Sequence, residues 1–187
     1  MTAGPLGGRP SFAPVVGAWA GTGENGAVIP QPRAAADAEG WVGVPVAPVD
    51  LVYADGSALS RFLAGAPERA AWDAFVAGRR DRLVTSVLGV TELRRVAQHL
   101  GRAARDRADA VTESVEVVRF SDQSLRAASK VSGALTPFVA LHLGAALAHP
   151  DVRTVATYQT ELARACVLHG LAVVSPGWPD RWWERVP

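Results

Sequence analysis

Short apolar runs alternate with segments of helical periodicity from residue 50 onward. The runs that predict strands are apolar or rich in β-branched residues and lie at 51–54, 82–85, 115–120, 154–157 and 171–174. Between them, apolar residues recur at the spacing of amphipathic helices, and residues 101–112 predict either a short helix or a solvated connection. Because strands that alternate with helices need crossover connections, the pattern predicts an α/β fold, with an open, mostly parallel sheet of about five strands and helices on both faces.

The two ends of the chain differ from this alternating region. Residues 1–48 are rich in Gly, Pro and Ala without sustained periodicity, and predict a flexible extension that cannot bury enough apolar surface to order itself. Residues 49–177 make up the predicted folded domain. Residues 178–187 form a tryptophan-rich tail, which we expect to pack on the domain or on another chain, because exposed aromatic clusters usually mark contacts.

The composition excludes several classes of protein. The sequence contains no uninterrupted apolar run of about 18 residues, so we expect no membrane span. A formal net charge of +1 gives no overall attraction to nucleic acid or to anionic lipid. Cys166 is the only cysteine, which excludes an internal disulfide and a cysteine-based zinc site and favours a reducing, cytoplasmic location.

Asp55 follows the first apolar run directly and is the first candidate site residue. Gly56 permits a sharp turn after it, and Ser57 can cap the helix that follows. Ligands of open α/β sheets bind at the carboxyl ends of the strands, so an acid at this point is a candidate ligand for a metal or a substrate. The alternative is that Asp55 only shapes the turn, where aspartate is common for local reasons.

Five segments, taken in order, resemble the PIN domain family and, within it, the VapC toxins of bacterial toxin–antitoxin pairs. LVYADGSAL at 51–59 is similar to the family's opening strand, acid and small hydroxylated turn, and 84–93 is similar to its next strand and the helix with a glutamate. The other three segments are 140–147, 155–158 and 170–177. They are similar to a later helix, a later strand and the closing strand of the family, respectively. The resemblance implies a Mg²⁺- or Mn²⁺-dependent endoribonuclease whose metal is held by three or four carboxylates.

By this resemblance, Asp55 and Glu92 are the first two acids of the site and its catalytic and metal-binding residues. Val139 stands where the family's third acid belongs, and Gln159 stands where the fourth belongs. Valine cannot ligate a metal, and glutamine offers a carbonyl oxygen without a charge. Losing two carboxylates should weaken binding of a divalent ion severely, since each close charge pair contributes about 1–4 kcal/mol. Beside the site the resemblance places Ser57, His142 and Thr157.

The sequence leaves more than one functional interpretation open. In the first, the chain has ribonuclease-toxin ancestry, has weak or lost metal-dependent activity, and acts by binding RNA, an antitoxin-like protein or a second copy of itself. In the second, it is an active endoribonuclease in which Asp55, Glu92 and a substitute ligand hold Mg²⁺ or Mn²⁺. Glu161, near the start of the last predicted helix, is the candidate substitute. A third interpretation, a likeness of fold alone, is more remote.

We also expect a homodimer or a hetero-complex. Phe62, Leu63 and Trp72 on the first two predicted helices, together with the tryptophan-rich tail, predict more apolar surface than one small domain needs. The resemblance adds support, because proteins of this toxin class pair through helices near the start of the domain.

Deleting about the first 45 residues should leave the melting temperature unchanged, because Gly- and Pro-rich aperiodic segments contribute little packing. The measurement is thermal unfolding of the full and shortened chains side by side. A lower melting temperature for the shortened chain, or a segment that resists limited proteolysis, would contradict the prediction.

Overall fold

The computed structural model describes residues 50–131 and 135–185, so the predicted extension at 1–48 lies outside the described residues. The strands are β1 (Leu51–Ala54), β2 (Leu83–Ser86), β3 (Glu116–Val118), β4 (Val152–Ala156) and β5 (Ala172–Val174). The helices are α1 (Gly56–Leu59), α2 (Arg69–Val76), α3 (Val87–His99), α4 (Arg102–Ser114), α5 (Asp122–Lys130), α6 (Pro137–Ala148) and α7 (Thr160–Leu168). Short 3₁₀ turns lie at Ser60–Phe62, Arg80–Arg82 and Trp182–Glu184.

The five strands form one sheet in the order β3-β2-β1-β4-β5, and every pair is parallel. This confirms the predicted α/β class and the open parallel sheet. β1 is the central strand, and its Tyr53 is paired with Val84 of β2 on one side and with Val155 of β4 on the other. The chain runs outward from β1 to β3 on one side and from β4 to β5 on the other, so the strand order reverses beside β1. Ligands of open parallel sheets bind at such a reversal.

Apolar residues cover the sheet on both faces, as a parallel sheet requires. Val52 and Ala54 belong to a cluster with the apolar residues of α1 to α4, including the fully buried Trp72. Leu51 and Tyr53 belong to the opposite cluster, which the residues of α6 and α7 complete. Each large buried side chain contributes about 1.5–3 kcal/mol relative to exposure, so these clusters fix the sheet that carries the site.

The packing decides one detail that the sequence left open and corrects two others. The segment at 101–112 forms a full helix, because Ala104 and Ala108 bury a face of α4. Leu93, Val96 and Leu100 recur at helical spacing, which predicts one buried face. Val96 and Leu100 are exposed instead, because α3 packs on the core through Val90, Leu93 and Ala97. The strand expected at 154–157 begins and ends earlier, which leaves Thr157 just beyond the strand.

The apolar surface on which the expectation of a dimer relied is used within the chain. Phe62, Leu63 and Trp72 are almost completely buried in the chain's own core. Trp182 and Trp183 are also buried, against Ala163 of α7. The tail therefore packs on its own domain, and none of these residues offers an exposed surface to a partner.

None of the helices in the described ranges is long and apolar enough to cross a membrane.

The packing of α5 against α6 depends on a glycine. A Cβ atom at Gly144 would lie 2.5 Å from the Ser124 carbonyl oxygen and 2.7 Å from the Ala128 nitrogen. Both atoms belong to the backbone of α5, so no side-chain rotation relieves the contact.

Gly144→Ala should therefore lower the free energy of unfolding by about 1–3 kcal/mol, the usual cost of overpacking, although alanine favours a helix. Chemical denaturation measures the loss. Phe138→Ala, at an exposed position of the same helix, is the control and should change stability by less than about 0.5 kcal/mol. Equal stabilities of the Gly144 variant and the unaltered chain would contradict the close approach.

Candidate functional site

A cavity opens at the carboxyl edge of the sheet, beside the reversal of strand order. Its volume is about 570 Å³, and α3 supplies one wall with Glu92, Arg95 and His99. The start of α6 adds Phe138, whose side chain is exposed, and the segment after β4 adds Gln159. Acidic, basic and aromatic groups therefore face one cleft.

Asp55 directly precedes Gly56 and Ser57, which line the cavity, and is itself completely buried. Its Oδ1 accepts hydrogen bonds from the Ser57 hydroxyl (2.7 Å) and the Ala58 amide (2.9 Å), which makes it the N-cap of α1. Its Oδ2 accepts from the Thr157 hydroxyl at 2.7 Å. Burial raises the pKa of Asp55, while the nearby His142 and the hydrogen bonds from Ser57 and Thr157 oppose that rise. Protein donors thus occupy both oxygens of this carboxylate.

Glu92 reaches the same edge of the sheet from the middle of α3. Its Oε2 accepts from the Gly56 amide at 3.0 Å, and its side chain keeps 29% of its surface exposed. A Cβ atom at Gly56 would lie 2.2 Å from the Glu92 Cβ, so glycine is required where α3 crosses the turn after β1. The Glu92 carboxylate therefore anchors α3 to the turn that follows β1.

His142 connects Glu92 to the interior. Its Nε2 lies 2.9 Å from Glu92 Oε2, and its Nδ1 lies 2.8 Å from the Tyr53 hydroxyl. The Tyr53 hydroxyl is also 2.9 Å from the Ser86 hydroxyl, at the N-cap of α3. An ionised carboxylate only accepts hydrogen bonds, so in contact with an ionised Glu92 the Nε2 atom is the donor. Burial raises the pKa of Tyr53, so its hydroxyl stays protonated.

The segment after β4 completes the support of Asp55. The Thr157 hydroxyl, which donates to Asp55, also accepts a hydrogen bond from the backbone N–H of Gln159 at 3.0 Å. The Tyr158 amide donates to the Ser57 hydroxyl at 2.8 Å, so both side chains that donate to Asp55 are held from this segment. Ser57 and Thr157, predicted to lie beside the site, are thus positioning groups for its central carboxylate.

The remaining predicted residues do not join this cluster of acids. Val139 is 5% exposed and packs in the apolar cluster with Leu143. Glu161 is exposed on the first turn of α7, whereas Gln159 lines the cavity. Among the described residues, no group of three or more His, Cys, Asp and Glu side chains is placed to hold a metal ion.

A site with three or four carboxylates for Mg²⁺ does not match this donor set. Mg²⁺ prefers carboxylate and water oxygens in octahedral geometry. Asp55 already accepts three hydrogen bonds from protein donors, and one oxygen of Glu92 accepts from Gly56 and faces His142. The oxygens left for an ion are few, and the positions where the sequence resemblance implies the third and fourth acids hold Val139 and Gln159.

Sequence reasoning missed two members of the network, Tyr53 and Ser86. Tyr53 lies within the apolar run of β1, where its ring alone accounts for its presence, and it meets a histidine 89 positions later in the chain. Ser86 directly precedes α3, and as a helix N-cap it gives no sign in the sequence of a second partner. The signal present in the sequence is a tyrosine in a strand that is buried on both faces, because a buried tyrosine hydroxyl usually finds a partner.

The parallel sheet, with acids and hydroxyls at its carboxyl edge, defines an open α/β domain with a polar site. The profile of the PIN domain family matches residues 52–168, and the chain belongs to this family. PIN domains generally use divalent metal ions. The solved structure of PAE2754 from Pyrobaculum aerophilum is similar in fold, with a TM-score of 0.51 and 22% identity over 73% of this chain and 89% of that one. A comparison with curated proteins finds no match.

Tyr53→Phe should lower the free energy of unfolding by about 1–3 kcal/mol, because it leaves the buried Nδ1 of His142 without its partner. Denaturant titration measures the loss. Ser86→Ala removes the other partner of the same hydroxyl, so the double variant should cost less than the sum of the single changes. Strict additivity of the two losses would show that no such network operates.

Proposed function

We propose that this chain is a PIN domain protein of VapC-like, ribonuclease-toxin ancestry whose metal-dependent nuclease activity is weak or lost. It acts by binding, with RNA or a protein partner as the ligand. The VapC-like ancestry rests on the order of the motifs along the sequence, from the acid after the first strand to the helix that carries His142.

The placement of Val139 carries the proposal. The family's third acid would stand on the first turn of α6, where the helix dipole favours a carboxylate. Here the position holds an apolar side chain that is packed in the core with Leu143. A substitute acid cannot occupy the same place without displacing that packing. With Gln159 uncharged, the two carboxylates of the region are Asp55 and Glu92, and protein hydrogen bonds hold both.

The cavity supports a binding role, and RNA is the first ligand to test. Arg95 offers positive charge and hydrogen-bond donors for phosphates, His99 offers a further ring N–H, and the exposed Phe138 offers a ring for stacking. Fewer carboxylates also mean less repulsion of a phosphate than in a four-acid pocket. An antitoxin-like protein and a second copy of the chain are the protein partners to test.

The alternative is an active Mg²⁺- or Mn²⁺-dependent endoribonuclease that uses Asp55, Glu92 and Glu161. The exposure of Glu161 on α7 gives it freedom to move but no fixed place beside the other two acids. Its contribution is tested directly by Glu161→Gln.

Titration calorimetry should show no binding of Mg²⁺ or Mn²⁺ by the unaltered protein at millimolar concentrations, and total RNA should stay intact in the presence of either ion. Asp55→Asn, which keeps a capping oxygen, is the matched control and should change neither result. RNA cleavage that Asp55→Asn abolishes would make the alternative correct, and loss of that cleavage in Glu161→Gln would identify the substitute ligand.

Restoring both acids, with Val139→Asp and Gln159→Asp together, should raise the affinity for Mg²⁺ more than tenfold. A tenfold change requires about 1.4 kcal/mol, and two added charges near an ion supply more. Because Val139 is packed in the core, circular dichroism must first show that the double variant is folded. Gln159→Asp alone, at a partly exposed position, should raise the affinity by a smaller factor. Unchanged affinity in a folded double variant would show that these positions are not vacant ligand positions.

A further inference from the structure

The C-terminal segment, residues 175–184, lies beyond the part of the chain that the family profile matches, which ends at 168. It carries three of the chain's tryptophans, and their rings contact one another edge to face. The Trp178 and Trp182 rings lie 4.4 Å apart at 87°, and the Trp182 and Trp183 rings lie 5.9 Å apart at 81°. The segment also contacts the residues that support Asp55.

The first connection is a path of hydrogen bonds. The Trp182 indole N–H donates to the Ser175 hydroxyl at 2.8 Å, and that hydroxyl donates to the Thr157 carbonyl at 2.5 Å. The Thr157 hydroxyl then donates to Asp55 Oδ2. The Thr157 amide donates to the Val174 carbonyl of β5 at 3.2 Å, so β5 and the segment that follows it hold the two backbone groups of Thr157 between them.

The second connection runs through Tyr158. Its hydroxyl donates to the Pro176 carbonyl at 2.7 Å, and the Trp178 ring meets its ring edge to face at 5.3 Å. The Arg61 guanidinium lies 4.0 Å from the centre of the Tyr158 ring. Held in this way, Tyr158 directs its amide to the Ser57 hydroxyl, which donates to Asp55 Oδ1.

We propose that residues 175–182 are a positioning element of the site. They fix Thr157 and Tyr158, and these two residues fix the hydroxyls that hold both oxygens of Asp55. Two independent connections end on the same carboxylate, one on each oxygen. This role is separate from the question of whether the site cleaves RNA or only binds it.

Hydrogen exchange of single amides tests the proposal in the full chain. The reporters are the amide of Ala58, which donates to Asp55, and the amide of Tyr158, which donates to Ser57. The reference is the amide of Ala108, which is buried in α4 away from the segment. Trp182→Phe keeps an aromatic ring and removes the indole N–H, and Ser175→Ala removes the hydroxyl that joins Trp182 to Thr157.

In both variants the two reporter amides should exchange about five- to tenfold faster relative to the Ala108 amide, the effect of losing one or two hydrogen bonds locally. Ser175→Thr keeps a hydroxyl and should return both amides to within about twofold of the unaltered protein. Trp183→Phe, a neighbour in the same turn that does not lie on the path to Ser175, should leave the ratio unchanged.

Three results would overturn the proposal. Acceleration of all three amides by one factor would mean that the segment contributes only to global stability. Unchanged reporters in Ser175→Ala would mean that the path does not hold the site. Failure of Ser175→Thr to restore the ratio, in a protein with normal unfolding, would mean that the hydroxyl is not the connecting group.

Discussion

A buried carboxylate at the end of the central strand is the constraint on which the arrangement of the site depends. Asp55 is completely buried, and burial raises its pKa, so an ionised Asp55 requires compensation from donors around it. The Ser57 and Thr157 hydroxyls and the Ala58 amide provide that compensation. They come from α1 and from the segment after β4, so satisfying one carboxylate joins two parts of the chain about a hundred residues apart.

Glu92, the second acid, also joins parts of the fold that are distant in the sequence. Glu92 joins α3 to the turn after β1 through the Gly56 amide, and it joins α6 through His142. Tyr53 and Ser86 continue this network into the interior, where an unpaired polar group would cost about 1–3 kcal/mol. Asp55 and Glu92 are therefore both held by hydrogen bonds to other groups of the protein.

Much of the fold follows from the sequence, because apolar runs and helical periodicity are local signals. β1 was predicted to the residue, and the parallel sheet followed from the alternation of strands and helices. The predicted cap of the first helix was wrong: Ser57 lies inside α1, and Asp55 is the N-cap because its side chain accepts from the Ala58 amide. Partnerships between distant residues, such as that of Tyr53 with His142, leave no local signal. The exposure of Val96 and the burial of Trp182 also depend on which helix faces pack together, and periodicity alone does not determine this.

The close contact of Gly56 with Glu92 bears on what the acids of this site reveal about its history. Asp55 caps a helix and Glu92 anchors α3, so folding alone accounts for the presence of both acids, with or without a metal. Among the described residues, the side chains of Val139 and Gln159 make no comparable hydrogen bond to the backbone of the site. In this architecture, retention of Asp55 and Glu92 is not by itself evidence that the site uses a cation.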